Sequence, residues 1–291
     1  RATSTPYLDE LRRTYEASLY LDAGTTFITE RQLPRGLAKQ YKVILVPAAK
    51  HVPPEVAQAL LDYVKQGGHL VVSPESLLAD QYLRPLDFFP QAGLQIAKSS
   101  AAGEAQLGAL EQQYDQTLRR AVVTAGSIES EITTLPGSDL GSTSFGLKGR
   151  GVVQTIKPGD GSRVLARFKN NDPAIVMDTL GSGSITSLAT PLEPRSYAQL
   201  LDRLFERAGV ARRIRATDAD GNRIWQVEAR SLRRTRDWLL YVVNHSDAAV
   251  EVRLSLPAAA RSVKDLRRDK SLPVGGLITL AAGETRLFQI E

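Results

Sequence analysis

A strand–helix–strand segment between residues 41 and 73 limits the folds open to this chain more than any other feature. The apolar run 43–46 is continuous, which is typical of a parallel strand covered on both faces. The proline pair 53–54 suits a helix start, because the first helical turn does not use its N–H groups. The glycine pair 67–68 can end that helix before a second apolar run. The segment therefore predicts a βαβ unit of a doubly wound parallel sheet.

The chain has 291 residues, which is enough for two domains of ordinary size. Apolar patterns beyond the βαβ unit predict a strand at 163–168 and a helix over 196–208. The last third alternates between apolar and polar residues in short strands, which is typical of a small antiparallel β-sandwich. We predict an α/β domain over 1–210 and a β-sandwich over 211–291.

The chain is predicted to open on a helix rather than a strand. Doubly wound domains normally begin with a strand, so we expect that strand to lie upstream of Arg1 or to be absent. A short strand is predicted at 25–29 and a further helix over 104–120. Four residues at helical spacing predict the apolar face of the first helix: Leu8, Leu11, Tyr15 and Leu19.

Composition excludes several kinds of chemistry. The chain contains no cysteine, which removes disulfides, thiolate zinc sites and a cysteine nucleophile. Its 3 histidines lack metal-ligand spacing. We therefore predict neither a metal nor a cofactor. No apolar run approaches the roughly 20 residues of a membrane helix, and no signal peptide is visible, so we predict no membrane partner. Both a cytoplasmic and an exported bacterial location remain open.

The formal net charge of +5 and the isoelectric point near 9.4 raise the question of nucleic-acid binding. Much of the excess positive charge lies in the predicted sandwich. Acidic residues such as Asp218, Asp237 and Asp265 are interspersed there. This mixture favours a solvated β-surface over a nucleic-acid site, which is kept as an alternative.

Five segments together carry a resemblance to a known family. They are YKVILVP at 41–47, LDYVKQGGHLVV at 61–72, GSGSITSL at 181–188, WQVE at 225–228 and LYVVNH at 240–245. With the order of elements, they resemble the C-terminal half of the family 42 glycoside hydrolases, the β-galactosidases. In that family a TIM barrel is followed by a trimerisation domain and then a small β-sandwich.

The resemblance implies a fold and partners. The fold is an α/β flavodoxin-like domain of the class I glutamine-amidotransferase type, followed by a small antiparallel β-sandwich. The implied partners are further copies of the same chain, as a homo-oligomer such as a trimer, and a catalytic barrel upstream. Residues 98–150 carry the resemblance least.

The catalytic residues of the family cannot be assigned to this chain. The family uses two glutamates on its barrel, and a barrel needs about 250 further residues. True amidotransferases place a cysteine at a strand-to-helix turn, whereas the turn at 72–76 has Ser73 and Ser76. The chain alone is therefore predicted to be non-catalytic, within a parent glycoside hydrolase.

Ser73 and Glu75 are candidate ligand contacts, because doubly wound folds bind ligands just beyond the ends of their parallel strands. A serine nucleophile would also need a base such as histidine. His69 lies at the other end of the same predicted strand, and His51 follows the neighbouring one. A helix-capping role for Ser73 or Ser76 is favoured over a hydrolase.

Trp225 and Trp238 lie in alternating strands of the predicted sandwich. An exposed tryptophan can stack on a sugar ring, although tryptophans in small sandwiches more often pack in the core. Carbohydrate is therefore the ligand considered for four candidate residues, Ser73, Glu75, Trp225 and Trp238.

The sequence favours a non-catalytic oligomerisation and accessory region of a carbohydrate-active enzyme. The subunit contact is predicted on the helix 54–66 and the loops of 73–89, with the apolar run 86–89 at its centre. The alternative is a stand-alone carbohydrate-binding or scaffolding protein with a degenerate amidotransferase-like domain.

Overall fold

The computed structural model describes residues 6–36, 40–96, 129–212 and 214–291. The chain divides into two compact units. The first unit comprises Arg1–Tyr15 and Phe27–Gly209, and the second comprises Glu16–Thr26 and Val210–Glu291.

The predicted βαβ unit is present. Strand β1 (Val43–Val46) and strand β2 (His69–Val72) pair in parallel, joined by helix α2 (Pro54–Lys65). The helix starts at Pro54 because Pro53 is extended, as a residue before proline prefers to be. Its apolar face is buried and its outer face is polar.

The sheet that contains this unit is mixed rather than wholly parallel. Besides β1 and β2, it contains β4 (Glu129–Thr134), β5 (Gly146–Arg150), β7 (Arg163–Phe168), β8 (Pro173–Leu180) and β9 (Gly183–Leu188). The order in the described residues is β1-β2-β9-β8-β7-β4-β5, and only the pairings of β1 with β2 and of β2 with β9 are parallel. The turn at Gly181 joins β8 to β9, and so short a turn can connect only antiparallel strands. The parallel pairing expected from the sequence is therefore present only among β1, β2 and β9, and the described remainder of the sheet is antiparallel.

Other elements follow the sequence patterns unevenly. The helix predicted over 196–208 is confirmed as α4 (Pro194–Arg207), whereas residues 25–29 form no strand. The helix predicted over 104–120 lies outside the described residues. The remaining elements of the first unit are a 3₁₀ turn (Leu33–Arg35), α3 (Phe88–Gln91), β3 (Gln95–Ile96) and β6 (Ile156–Lys157).

Helix α1 (Pro6–Leu19) does not bury the apolar face predicted for it. Leu8 is 53% exposed and Tyr15 is 42% exposed. Both faces show helical spacing, and periodicity alone cannot tell which one meets the core. The buried face of the helix consists of small and polar residues, namely Glu10, Thr14, Ala17 and Ser18.

The second unit contains two antiparallel sheets, as its alternating pattern predicts. Buried residues of both sheets, including Val252 and Phe288, form one apolar core. The first sheet has the order β10 (Arg215–Thr217), β13 (Val250–Ser255), β16 (Leu277–Leu280). The second has the order β11 (Val227–Arg233), β12 (Trp238–Asn244), β17 (Thr285–Ile290), β14 (Val263–Asp265), β15 (Lys270–Leu272).

Polar contacts tie residues 16–26 into this second unit. Asp22 Oδ2 accepts hydrogen bonds from the Ala216 backbone N–H at 3.1 Å and from Arg223 Nη1 at 2.8 Å. The same Arg223 nitrogen also donates to the Tyr20 carbonyl at 2.8 Å. These bonds explain why a segment near the start of the chain groups with its last third.

Gly183 lies where the chain has no room for a side chain. A Cβ there would sit 2.2 Å from the carbonyl oxygens of Gly68 and Val64. We expect Gly183→Ala to lower the free energy of unfolding by about 2–3 kcal/mol, because neither backbone oxygen can move aside freely. Urea unfolding followed by circular dichroism measures this.

Gly146→Ala is the matched control, because no atom of the described residues outside its chain neighbours lies within 4 Å of the Cβ position there. A surface change of this kind should stay within about 0.5 kcal/mol of the unmodified protein. Equal stability of the two variants would contradict the close approach at Gly183.

Candidate functional site

Ser73 follows directly after β2, at the carboxyl end of the parallel strands. Its hydroxyl donates a hydrogen bond to Glu10 Oε1 at 2.6 Å, and both side chains are buried. The bond joins helix α1 to the end of β2 across 63 positions of sequence. The Ser73 hydroxyl is therefore committed to a buried carboxyl group and does not face solvent.

Glu10 is held in an environment that disfavours its charged form. Burial raises the pKa of Glu10, and the Ser73 hydrogen bond and the Arg13 guanidinium only partly oppose that rise. Arg13 Nη1 lies 3.4 Å from Glu10 Oε2. The fully buried Tyr197 lies beside Glu10, and burial raises the pKa of its phenol as well. No hydrogen bond of ordinary geometry reaches the Tyr197 hydroxyl within the described residues.

Glu75 lies in a strained turn just beyond Ser73. Its φ of 58° is in the left-handed region, which costs a non-glycine residue free energy. The turn is fixed by polar contacts: the Glu75 N–H donates to Gln154 Oε1 at 2.7 Å, and the Ser76 hydroxyl donates to the Val46 carbonyl at 3.1 Å. Lys50 Nζ lies 3.9 Å from the partly buried carboxylate of Glu75.

No helix begins directly after β2, and the next one, α3, begins only at Phe88, so the helix-capping role predicted for Ser73 or Ser76 is wrong. Residues 73–87 form turns and bridges instead. The serine hydroxyls bind a carboxyl group and a strand carbonyl, which are the acceptors that this turn brings close.

The structure gives Ser73 no histidine base. His69 Nδ1 lies 2.9 Å from the Ser184 hydroxyl, and His51 is exposed next to a backbone bridge to Ala79. Burial lowers the pKa of His69, and the positive charges of Arg207 and Lys42 add to that shift. Within the described ranges, no group of three or more His, Cys, Asp and Glu residues could hold a metal ion.

Trp225 and Trp238 are placed far apart in the second unit. Trp225 packs edge-on against Tyr20, with ring centroids 4.8 Å apart. Trp238 pairs with Arg233 at the other end of β11, about 20 Å away at roughly 3.3 Å per residue. The two rings therefore do not form a single platform for a sugar. A ligand role for either tryptophan, for Ser73 or for Glu75 remains a prediction.

A carboxylate that sequence reasoning missed, Glu228, lies on β11, three positions after Trp225 in the chain. It accepts hydrogen bonds from Tyr241 Oη at 2.9 Å and from Arg230 Nε at 3.1 Å, and His245 Nε2 lies 2.9 Å away. Burial alone would raise the pKa of Glu228, but the three partners outweigh it and hold the pKa below its usual range. Alternation in β11 places Glu228 and Arg230 on one face, which was the only sequence signal for this cluster.

Ion pairs account for much of the positive charge of the second unit. Several arginines and a lysine lie 2.6–2.8 Å from aspartate or glutamate oxygens. Such pairing favours a solvated or structural role over a surface that tracks a phosphate backbone. The pairs are Arg286–Asp265, Arg234–Asp237, Arg268–Glu284 and Lys264–Asp269.

None of the helices in the described parts of the chain has the length and apolarity to cross a membrane.

Comparison with family models gives a match over residues 1–96, to the β-galactosidase trimerisation domain. No curated protein matches the chain. Among solved structures, a β-galactosidase from Bacillus circulans sp. alkalophilus is similar, at 17% identity and a TM-score of 0.71, covering 100% of this chain and 38% of that one.

Two further structures give the same picture. A GH42 β-galactosidase from G. stearothermophilus, solved as a catalytic mutant, matches at 15% identity and a TM-score of 0.71, over 100% of this chain and 37% of that one. The cold-adapted β-galactosidase from Rahnella sp. R3 matches at 14% identity and a TM-score of 0.71, over 98% and 37%. The resemblance to the C-terminal part of family 42 β-galactosidases, without their barrel, is confirmed. The chain spans 37–38% of the length of these enzymes.

We expect Glu10→Gln to gain stability relative to the unmodified protein as the pH rises. The pKa of Glu10 is raised in the folded state, so its contribution is full below the unfolded value of 4.5 and is lost as the pH rises through the folded pKa. Glutamine has no charge to bury. The difference in free energy of unfolding, variant minus unmodified, should therefore grow from pH 4 to pH 7.5 in urea titrations.

Glu55→Gln is the control for this measurement, because Glu55 is an exposed carboxylate on α2 of the same unit. A difference for Glu10→Gln that shrinks as the pH rises would contradict the dominant effect of burial.

Glu228→Gln should lose stability relative to the unmodified protein as the pH rises, the opposite of Glu10→Gln. The pKa of Glu228 is lowered on folding, so its contribution is present above 4.5 and is lost as the pH falls through the folded pKa. At pH 7 we expect a loss of about 1–3 kcal/mol, because the donors around it lose a charged acceptor. The 2 tryptophans of the chain both lie in the second unit, so their fluorescence reports its unfolding.

Glu251→Gln provides the comparison on an exposed position of β13. A neutral effect of Glu228→Gln at pH 7 would mean that the three donors find equivalent partners without the carboxylate.

Proposed function

We propose that this chain is the non-catalytic oligomerisation and accessory region of a carbohydrate-active enzyme that resembles a β-galactosidase. The observation that carries the proposal is the match of residues 1–96 to the β-galactosidase trimerisation domain. The fold similarity over nearly the whole chain to GH42 β-galactosidases supports it.

The two carboxyl groups nearest the end of β2 in the described residues support a non-catalytic role. A glycosidase needs two carboxyl groups about 5–9.5 Å apart in an open cleft. At the end of β2, Glu10 is instead buried and bonded to Ser73, and Glu75 lies beside Lys50. A substrate would have to displace these contacts before it reached either carboxyl group.

The domain assignment belongs to the same proposal. Residues 1–210 would be a reduced amidotransferase-like, flavodoxin-like domain, and residues 211–291 a β-sandwich. The parallel β1–α2–β2 unit supports the first part, together with the left-handed turn at Glu75 where amidotransferases place their nucleophile. The shared apolar core of two antiparallel sheets supports the second part.

The proposal includes a catalytic barrel upstream, in the natural gene product. The similar enzymes are longer than this chain, which spans 37–38% of their length. The denatured mass of the natural product tests this part. A product that exceeds 31.7 kDa by the mass of about 250 further residues agrees with a barrel. A product with a mass near 31.7 kDa contradicts it.

Self-association is the first property to measure. We expect the 291-residue chain to form an assembly of about three times its 31.7 kDa mass at micromolar concentration. Static light scattering after size exclusion gives the assembled mass. A monomer across this range would contradict the proposed function.

The chain by itself should not hydrolyse an aryl β-galactoside, because Glu10 is buried against Ser73 and Glu75 lies beside Lys50, so neither is a free carboxyl group at the end of β2. Calorimetry with galactose and lactose addresses the stand-alone binding alternative. Saturable binding by a monomeric chain would favour that alternative, whereas an assembled chain without turnover agrees with the proposal.

A further inference from the structure

The loop Asp80–Pro85 of the first unit presents two large apolar side chains to solvent. Tyr82 is 70% exposed and its neighbour Leu83 is 74% exposed. No other pair of adjacent large apolar side chains in the described residues is exposed to this extent. We call this pair the tip.

The loop that carries the tip is rigidly built. The buried Asp80 accepts the N–H groups of Tyr82 at 2.8 Å and Arg84 at 2.9 Å through Oδ1. Its Oδ2 accepts Arg84 Nε at 2.6 Å, and the Arg84 guanidinium lies 5.2 Å from the centre of the Tyr82 ring. The tip is therefore held in one shape by polar contacts beneath it, and not by burial of its own side chains.

Leu83 has an energetically unfavourable backbone conformation. Its φ of 66° lies in the left-handed region, where asparagine or glycine is favoured over a bulky side chain. The leucine gains no core burial in exchange. Packing of the Leu83 side chain against another molecule would offset this backbone strain.

The apolar surface of the first unit is concentrated in the part matched by the trimerisation-domain model. With the exception of Val152, every exposed large apolar side chain in the described part of this unit lies within residues 1–96. Besides the tip, they belong to α1 and the segment after it. They are Tyr7, Leu8, Tyr15, Phe27, Tyr82 and Leu83.

Phe27 and Tyr15 form an exposed aromatic surface. Their rings stack with centroids 5.7 Å apart at an interplanar angle of 28°, and Phe27 is 63% exposed. This pair lies on the side of α1 that sequence periodicity wrongly assigned to the core. The first unit therefore exposes two apolar surfaces on different segments, the tip and the Tyr15–Phe27 pair.

The contact expected from sequence alone lies elsewhere and does not fit the structure. Phe88 and Phe89 are buried in the core of the first unit, so the prediction that the run 86–89 forms the centre of a subunit contact is wrong. The outer face of α2 is polar, with Glu55, Gln58 and Asp62 exposed. Within the predicted segment 73–89, the tip is what remains for an apolar contact.

We propose that the tip of one copy of this chain packs against the Tyr15–Phe27 pair of the next copy. A ring of three subunits requires a heterologous contact, in which two different surfaces meet at each interface. Two separate apolar surfaces within residues 1–96 satisfy that requirement. This inference rests on the proposed self-association and names the residues that perform it.

The first test replaces the tip by polar residues. Tyr82→Ser with Leu83→Asn should weaken assembly at least about tenfold in sedimentation equilibrium, as removal of buried anchors does at interfaces. Asparagine accepts the left-handed backbone, so the folded monomer should melt at an unchanged or higher temperature. Leu232→Ser, at another largely exposed leucine (64%) in the second unit, is the control and should leave assembly unchanged.

The second test uses the absence of cysteine from the 291 residues. Leu83→Cys and Phe27→Cys are made as separate variants, and mild oxidation is applied to each alone and to their mixture. The mixture should form covalent dimers between the two variants. Efficient dimers of Leu83→Cys alone would place two tips together, and would overturn the heterologous contact.

These experiments separate the inference from the function on which it rests. A monomeric unmodified chain would contradict the proposed function. An assembled chain whose affinity is unaffected by the tip substitutions would leave self-association standing and overturn the role of the tip.

Discussion

The close approach of helix α2 to the start of β9 determines how the first unit is assembled. The Ser182 N–H donates to the Lys65 carbonyl at 3.2 Å, and the Ser184 N–H donates to the Gly68 carbonyl at 3.2 Å. Gly183 has backbone on both sides with no space for a Cβ. This contact sets the parallel pairing of β9 with β2. Through the tight β8–β9 turn it also attaches the antiparallel strands to the parallel ones.

Two buried carboxyl groups illustrate how environment decides the role of a residue type. Glu10 has one short hydrogen bond from Ser73, and burial dominates, so its charged form is disfavoured. Glu228 has three partners, and they outweigh burial, so its charged form is favoured. Glu10 joins helix α1 to the end of β2, and Glu228 joins β11 to Tyr241 on β12. Both carboxyl groups are buried and bonded to other side chains of the same unit.

Sequence patterns predicted the long elements well and the site poorly. Strand–helix–strand signals located β1, α2 and β2, and apolar periodicity located α4. The same periodicity chose the wrong face of α1, because the buried face holds Glu10 and small residues that no hydrophobicity pattern selects. The apolar residues of α1 that were predicted to be buried, such as Leu8 and Tyr15, are instead exposed. Together with Phe27 and the tip, they form the exposed apolar surface of the segment matched by the trimerisation-domain model.

The sequence by itself determined the absence of cysteine chemistry, the strand–helix–strand core and the change to short alternating strands in the last third. These features are local, because backbone geometry and the partition of apolar side chains from water act over a few residues. Only the tertiary structure decided the mixed direction of the sheet, the partner of Ser73 and the exposure of Tyr82 and Leu83. Those outcomes depend on contacts between residues far apart in the chain, such as the 63 positions that separate Glu10 from Ser73, and no local pattern encodes them.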